Sequence, residues 1–272
     1  MQPTEPAAIG RGRIATVYSW GRGLAGKVFH ADPDDPGVLR EAMHTRLAHQ
    51  CGLPVPAIRD VTVWEGKPVI VMDRIEGGTL TSFLMRESVS ASEEGARIAE
   101  LHHKIHACRA PSGFPDMNDW IEWRIRRASG LDGDEKERLL ALLASQEPGN
   151  RICHNDFHPD NILRCEGKDY VIDWCDATCG NPWADVARTV LVFESRSLPP
   201  DMPQEAGQAV NAVRDAIGAA YVRRYQELAG VEDLPIRDWR VLIAASRLWL
   251  ALEGEDEYNR KMVRGFLEDR SA

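Results

Sequence analysis

The residues whose types and spacing best suit a chemical reaction lie in one stretch, between His154 and Asp185. It begins with His154-x-Asp156-x-x-x-x-Asn161 and continues as two short strand patterns, joined by a turn, that end on Asp173. This order brings Asp156, Asn161 and Asp173 to the mouth of a small hairpin, where their side chains could converge. Mg²⁺ takes oxygen ligands and is usually held by one or two protein groups plus substrate phosphates. We therefore predict that Asn161 and Asp173 are the metal ligands, although a polar hairpin with an incidental Asp and Asn is the alternative.

Of the three residues, Asp156 is the one that is not assigned as a metal ligand. A carboxylate at this place can orient a hydroxyl and take its proton while the hydroxyl attacks a γ-phosphate. The spacing His-x-Asp-x-x-x-x-Asn with a later Asp on a strand is the catalytic-loop signature of protein kinases and their relatives. We predict that Asp156 is the catalytic residue.

The local sequence of this stretch is H-N-D-F-H-P-D-N-I-L, followed by V-I-D-W. It resembles the aminoglycoside phosphotransferase and choline kinase family. Asp173 is followed by Trp-Cys instead of the Phe-Gly of protein kinases, and no Ala-Pro-Glu follows. The resemblance implies a two-lobed α+β protein-kinase-like fold and an ATP-dependent phosphotransferase with an alcohol group as acceptor, with GTP in place of ATP left open.

The resemblance also implies a division of the chain. Residues 1–73 would form a nucleotide-binding lobe, an antiparallel sheet plus one helix. Residues 74–78 would be the hinge, and residues 79–272 a mostly helical lobe with the catalytic loop and the acceptor site. Residues 203–270 have the pattern of amphipathic helices, broken near Gly230 and Pro235.

The first lobe begins with a meander, because residues 7–30 alternate apolar and polar groups in short runs broken by glycine. Its first turn carries Gly10 and Gly12, which let backbone N–H groups approach phosphates closely, although hairpins use glycine for other reasons too. Lys27 lies in the middle of a strand, either as a solvated edge residue or as the cation that binds the α- and β-phosphates.

Glu41 favours the second alternative for Lys27. It lies in a helical stretch closed by Gly52 and Pro54. In the resembled family, a Glu at this place pairs with the strand lysine and holds it toward the phosphates. We expect an ion pair between Lys27 and Glu41. The apolar residues of the helix suggest one stripe along its buried face: Leu39, Ala42, Met43 and Leu47.

The segments D-V-T-V-W and P-V-I-V-M, joined by Glu65-Gly66-Lys67, predict a second hairpin. The residues after it break the strand pattern, and the resemblance implies that they contact adenine, mainly through the backbone. Met72, Asp73 and Ile75 are the candidates, with Met72 equally plausible as core. The resemblance gives supporting roles to His154 and Asp185, which would position the catalytic loop.

Two further groups of residues leave alternatives open. His102 and His106 are four apart, which permits metal ligation, but no third ligand is evident and packing is the preferred interpretation. Insertions before the catalytic loop line the acceptor pocket in the resembled family, whereas aromatic residues at this spacing are more often core. The acceptor candidates are Asp119, Trp120, Glu122, Trp123, Asp176 and Glu253.

The composition indicates which kinds of molecule this protein binds. A net charge of −9 and a pI near 5.4 disfavour nucleic acid and acidic membranes and suit a cationic substrate. The start of the chain lacks a signal-peptide pattern, no apolar run reaches the ~18 residues that span a bilayer, and the six cysteines form no Cys-x-x-Cys pair, so we expect a cytoplasmic protein with reduced thiols.

The acceptor itself stays open. An aminoglycoside or another cationic antibiotic, which would make this a resistance enzyme, suits the resemblance. Choline, homoserine or a sugar derivative is the alternative, and a protein kinase is disfavoured by the missing activation segment. A nucleotide-binding pseudokinase is the rival of a different class. The oligomeric state cannot be predicted.

Overall fold

The computed structural model describes residues 7–86, 89–196, 198, 202–251 and 255–270. They form two compact units. Unit 1 consists of the described residues up to Phe83, with Pro111–Gly113 and Pro159–Ala177. Unit 2 consists of Leu84–Ala110, Phe114–His158 and the described residues from Thr178 onward.

Unit 1 is built on an antiparallel sheet of five strands in the order β1-β2-β3-β5-β4. Helix α1 (Pro36–Gln50) packs against β4 and β5, and the side chain of Asp35 caps its first turn. The three-strand meander and the following hairpin are therefore both present. The strands are β1 (Ala8–Arg11), β2 (Ala15–Gly21), β3 (Leu24–Phe29), β4 (Ile58–Trp64) and β5 (Lys67–Asp73).

The alternation of side chains along β3 decides where Lys27 points. Phe29 packs with Val38 of α1, whereas Val28 belongs to a separate cluster with Trp20. Because side chains alternate along a strand, Lys27 shares the face of Phe29 and points toward α1. On the other face Gly26 is needed, since a Cβ there would lie 2.3 Å from the ring of Trp20.

The apolar stripe expected on α1 is wrong. Leu39 is 64% exposed and Met43 is 41% exposed. The buried face instead carries Val38, Glu41, Ala42, His44, Thr45 and Ala48. The buried face thus consists mainly of small and polar residues, whereas Leu39 and Met43 point outward.

A smaller sheet completes unit 1. Strands β6 (Gly78–Thr79), β8 (Ile162–Cys165) and β9 (Lys168–Val171) pair in the order β6-β8-β9, and a 3-10 turn at Pro159–Asn161 precedes β8. Helix α2 (Leu80–Met85) then carries the chain from unit 1 into unit 2.

Unit 2 is mostly helical, with one short pair of antiparallel strands in which Cys153 faces Thr178. Helices α3 and α7 pack closely, because Gly95 allows the backbones to approach: a Cβ there would lie 2.4 Å from the carbonyl oxygen of Ile217. Gly230 ends α7 in the left-handed conformation, at the break predicted there. The elements are α3 (Ala91–Ala107), α4 (Met117–Arg127), α5 (Gly133–Ala144), β7 (Arg151–Cys153), β10 (Thr178–Gly180), α6 (Pro182–Glu194), α7 (Gln204–Ala229), α8 (Arg237–Arg247), a 3-10 turn (Leu248–Leu250) and α9 (Asp256–Asp269).

Within the part of the chain that the structure describes, no helix combines the length and the apolar character that crossing a membrane requires.

Candidate active site

Lys27 lies at the centre of a charged cluster in unit 1. Its Nζ is 2.6 Å from Oε1 of Glu41 and 3.5 Å from Oδ1 of Asp173. Burial favours the neutral amine, but the carboxylates of Glu41 and Asp173 outweigh it and hold the pKa of Lys27 above its ordinary value. The expected ion pair is present, and its cation also faces Asp173.

Asn161 and Asp173 lie at the same end of the β8–β9 hairpin. Ile162 pairs with Val171 in this hairpin, and the N–H of Ile172 donates to the carbonyl oxygen of Asn161 at 3.0 Å. The two predicted metal ligands therefore flank a paired segment. Asp173 has a φ of 65°, a left-handed conformation that is uncommon for residues other than glycine and often found at functional sites.

These two residues fit a hard cation by the chemistry of their donors. An amide and a carboxylate supply the oxygen atoms that Mg²⁺ takes. Oδ1 of Asp173 is buried and accepts no hydrogen bond from the residues that the structure describes. The ammonium group of Lys27, 3.5 Å away, supplies the opposite charge that a buried carboxylate oxygen requires.

In unit 2, Asp185 on α6 holds the loop that follows β7. Its carboxylate accepts hydrogen bonds from the backbone N–H groups of His154 and Asn155. Asn155 has a φ of 62°, and its side-chain amide donates to Oγ1 of Thr178 at 2.9 Å. The loop backbone before Asp156 is thus fixed by α6 and β10.

His102 and His106 converge on the same carboxylate from α3. Nε2 of His102 lies 3.1 Å from Oδ2 of Asp185, and Nε2 of His106 lies 3.2 Å from it. On their other ring nitrogens, His102 contacts the hydroxyl of Tyr221 at 2.8 Å and His106 that of Tyr225 at 2.6 Å. The three side chains are close enough to hold a metal ion, but with tyrosines at both Nδ1 atoms and backbone donors on Asp185 they form a buried hydrogen-bonding cluster.

This cluster keeps a neutral imidazole beside an ionised acid. Burial and the neighbouring His106 lower the pKa of His102 to about 3. Burial would raise the pKa of Asp185, but His102 and His106 outweigh it and hold that pKa well below its ordinary value. The neutral imidazole of His102 thus has Nε2 beside Asp185 and Nδ1 beside the hydroxyl of Tyr221.

Asp156, the predicted catalytic residue, faces two basic side chains within unit 2. Oδ1 accepts from Arg188 on α6 at 2.8 Å, and Oδ2 lies 3.4 Å from Nε2 of His158. Burial would raise the pKa of Asp156, but His158 and Arg188 outweigh it and hold the pKa well below its ordinary value. Sequence reasoning missed both residues. Arg188 follows Asp185 by three positions on one helix, so it shares the face directed at the loop, and that spacing was a usable signal.

The glycines of the first turn are not required by its local geometry. The N–H of Gly12 donates to the carbonyl oxygen of Ala15 at 2.9 Å. A Cβ at Gly10 would lie 3.7 Å from Val17, and one at Gly12 would lie 3.6 Å from Ala15, which are ordinary contacts. Neither glycine has a positive φ.

The candidates for adenine contact form the end of β5 and the residues after it. The side chain of Asp73 is engaged by Arg59, with contacts of 2.5 and 2.7 Å. The N–H of Asp73 donates to Ala57, and Met72 packs on the core cluster beneath α1. Among the described residues, the backbone N–H of Ile75 forms none of the backbone hydrogen bonds that occur in turns, loops and helix caps.

The acceptor candidates are divided between the units. Asp119, Trp120, Glu122 and Trp123 all lie on α4 in unit 2, whereas Asp176 belongs to unit 1 and Glu253 lies outside the described residues. The rings on α4 already carry cations: Arg124 lies 3.7 Å from the ring centre of Trp120, and Arg127 lies 4.2 Å from that of Trp123. Glu122 pairs with Arg126 at 2.8 Å.

A five-stranded antiparallel sheet with a Lys–Glu pair, a loop of the form His-x-Asp-x-x-x-x-Asn and a mostly helical unit define a protein-kinase-like fold. The model of the phosphotransferase enzyme family matches residues 8–234, and the chain belongs to this family. The predicted fold class and the family resemblance are both confirmed.

Solved structures share this fold. An aminoglycoside phosphotransferase APH(4)-Ia, a thermostable mutant in its apo form, superposes with a TM-score of 0.67 at 18% identity over 99% of this chain and 96% of that one. A ternary complex of the same enzyme with ADP and hygromycin B gives 0.64 at 18% identity over 96% and 91%. A choline/ethanolamine kinase family protein from Mesorhizobium loti gives 0.57 at 18% identity over 96% and 85%. No match was found among curated protein sequences.

Proposed function

We propose that this protein is a small-molecule kinase that transfers the γ-phosphate of ATP to a hydroxyl group, with Mg²⁺ as cofactor. The observation that carries the proposal is the buried lysine of unit 1, which Glu41 holds while it faces Asp173. Phosphoryl transfer depends on positioning and on charge neutralisation, and a fixed cation beside a metal ligand supplies both.

The residues divide this work. Lys27 binds the α- and β-phosphates, and Asn161 and Asp173 would hold Mg²⁺, which would supply positive charge to the phosphates. Gly10 and Gly12, which local geometry does not require, leave room for the backbone to approach the phosphates. Backbone groups near Met72, Asp73 and Ile75 contact adenine.

Asp156 receives the acceptor hydroxyl. A carboxylate whose pKa is held low is a weak base, so orientation is its main contribution. The hydroxyl passes its proton to Asp156 only as its bond to the γ-phosphorus forms and the bond from that phosphorus to ADP breaks. His154 and Asp185 position the loop that carries it.

We propose an aminoglycoside or another cationic antibiotic as the acceptor. The support is a net charge of −9 and the hygromycin B bound in a structural neighbour. A small alcohol such as choline is the second candidate, favoured by the exposed Trp123 and by the choline/ethanolamine kinase neighbour. Against it, Arg124 and Arg127 already cover the tryptophan rings that a cation–π site would use. The free thiols of all six cysteines support a cytoplasmic location.

An acceptor screen tests the proposal. Purified protein with ATP and Mg²⁺ is offered aminoglycosides, choline, homoserine and sugars, and phosphorylated products are detected by mass. Asp156→Ala should lower the catalytic rate by roughly 10²–10⁴ while nucleotide binding persists. Asp134→Ala, on the exposed surface of α5, is the matched control and should keep the wild-type rate. Nucleotide binding without phosphate transfer to any acceptor would instead support the pseudokinase.

A further inference from the structure

Arg188 is a buried cation that anchors an accessible carboxylate. Its side chain is 10% exposed, whereas that of Asp156 is 32% exposed, and their hydrogen bond measures 2.8 Å. The buried partner fixes one oxygen of Asp156. The carboxylate can therefore meet a ligand without losing its attachment to α6.

The position of Arg188 on α6 matters as much as its charge. Asp185, one turn earlier on the same helix, accepts hydrogen bonds from the backbone of His154 and Asn155. One helix face thus holds both the backbone of the loop and the side chain that the loop presents. A shift of the carboxylate relative to the loop backbone would have to break one of these attachments.

The two oxygens of Asp156 contact different basic side chains. Oδ1 accepts from a guanidinium, which stays protonated and donates in a planar fork. Oδ2 has the longer contact of 3.4 Å with His158. The guanidinium contact at Oδ1 is the shorter of the two and attaches the carboxylate to α6.

We infer that Arg188 is a positioning residue for phosphoryl transfer, which anchors Oδ1 of Asp156 and so fixes the carboxylate that meets the acceptor hydroxyl. This inference rests on the proposed function. The competing role for Arg188 is a structural ion pair that stabilises unit 2 and has no effect on transfer beyond that.

A double-mutant cycle separates these roles. Arg188→Met should lower kcat by roughly 10²-fold, the usual effect of a misplaced reacting group, and leave KM for ATP within about twofold. In the background of Asp156→Ala, the same substitution should change kcat by less than about twofold, because its target is gone. A purely structural ion pair would leave the kcat of the folded Arg188→Met single variant at the wild-type value.

Two measurements guard against misfolding as the cause. Arg188→Lys keeps a buried cation but not the planar fork, so this variant should fold and still have a lower kcat. Arg188→Ala should regain activity when guanidinium ions are added, and should not regain it when sodium ions are added instead. Arg214→Met, which removes a guanidinium that donates to the carbonyl oxygen of Ser195, is the matched control and should keep the wild-type kcat.

The outcomes are distinct. An active wild type whose folded Arg188 variants keep full kcat would overturn this inference and leave the proposed function intact. A wild type that transfers phosphate to no acceptor and hydrolyses no ATP would overturn the proposed function itself.

Discussion

At the scale of single residues, the ionisable groups of this chain differ most in what surrounds them. The Lys27–Glu41 pair is nearly buried, with side chains 12% and 5% exposed. The pair of Arg59 with Asp73 is 57% and 36% exposed. Removing one partner of a buried pair strands a charge without solvent, whereas an exposed group is rehydrated.

Lys27→Met should therefore reduce the free energy of unfolding by roughly 3–5 kcal/mol, because Glu41 loses its buried cation. The measurement is urea unfolding followed by circular dichroism. Arg59→Met is the matched control and should cause a far smaller loss. Equal losses in the two variants would contradict the assignment of Lys27 and Glu41 as a buried pair.

His102 should make stability depend on pH. Its pKa is about 3 in the folded chain against an ordinary 6.5, so between these values the unfolded chain binds a proton that the folded chain does not. Stability then falls as the pH falls, by up to about 1.4 kcal/mol per pH unit from this group. Unfolding measured from pH 6 to 4.5 should show a shallower slope in His102→Gln. Tyr221→Phe keeps the imidazole and should keep the slope, and an unchanged slope in His102→Gln would refute the prediction.

At the scale of elements, two helical glycines differ in how closely a neighbouring helix packs against them. Gly95 faces the backbone of α7, whereas a Cβ added at Gly265 on α9 would meet nothing within 4 Å. One glycine is a packing requirement. The other carries only the entropic cost of glycine in a helix.

Gly95→Ala should reduce the free energy of unfolding by about 1–3 kcal/mol, because α3 and α7 must separate to admit the methyl group. Gly265→Ala, the matched control, should raise it by roughly 0.5–1 kcal/mol. Thermal unfolding of both variants tests this. A neutral Gly95→Ala would show that the two helices can part without cost.

The sequence predicted where strands and helices lie better than it predicted which of their faces are buried. The two hairpins of unit 1 and the helix end at Gly230 followed from turn chemistry, which is local. The buried face of α1 did not, because tertiary packing puts the small Ala42 and the paired Glu41 inward and leaves Leu39 outside. Glu41 was expected to be shielded by an apolar stripe. It is shielded, but by small residues and its own ion pair.

At the scale of the whole molecule, the binding of nucleotide should add to stability. A ligand that binds only the folded chain stabilises it by about 2.7 kcal/mol at a hundred times its Kd. ATP with Mg²⁺ should produce this gain in urea unfolding of the wild type. Asp173→Asn, which keeps the shape of the side chain but removes its charge, should lose most of the gain at the same concentrations, and a full gain would contradict the role of Asp173 as a metal ligand.

The parts of the site that sequence reasoning could reach are those whose spacing is fixed by one loop or one strand. His154, Asp156 and Asn161 lie within eight residues, so their order alone suggests the chemistry. Arg188 escaped notice because its partner is 32 positions away and only the fold of unit 2 brings the two together. The acceptor residues are harder still, since Glu122 and Trp123 already have partners of their own.

Asp185 has a consequence for how such a protein could diversify. Among the described residues, its carboxylate draws partners from α3 and from the loop after β7, with α7 behind them, and none from α4. Related proteins could therefore differ in the exposed residues of α4 and still keep the loop after β7 unchanged. Under the proposed function, with α4 beside the acceptor, substitutions on this one helix would change the acceptor while the loop that carries Asp156 is inherited unchanged.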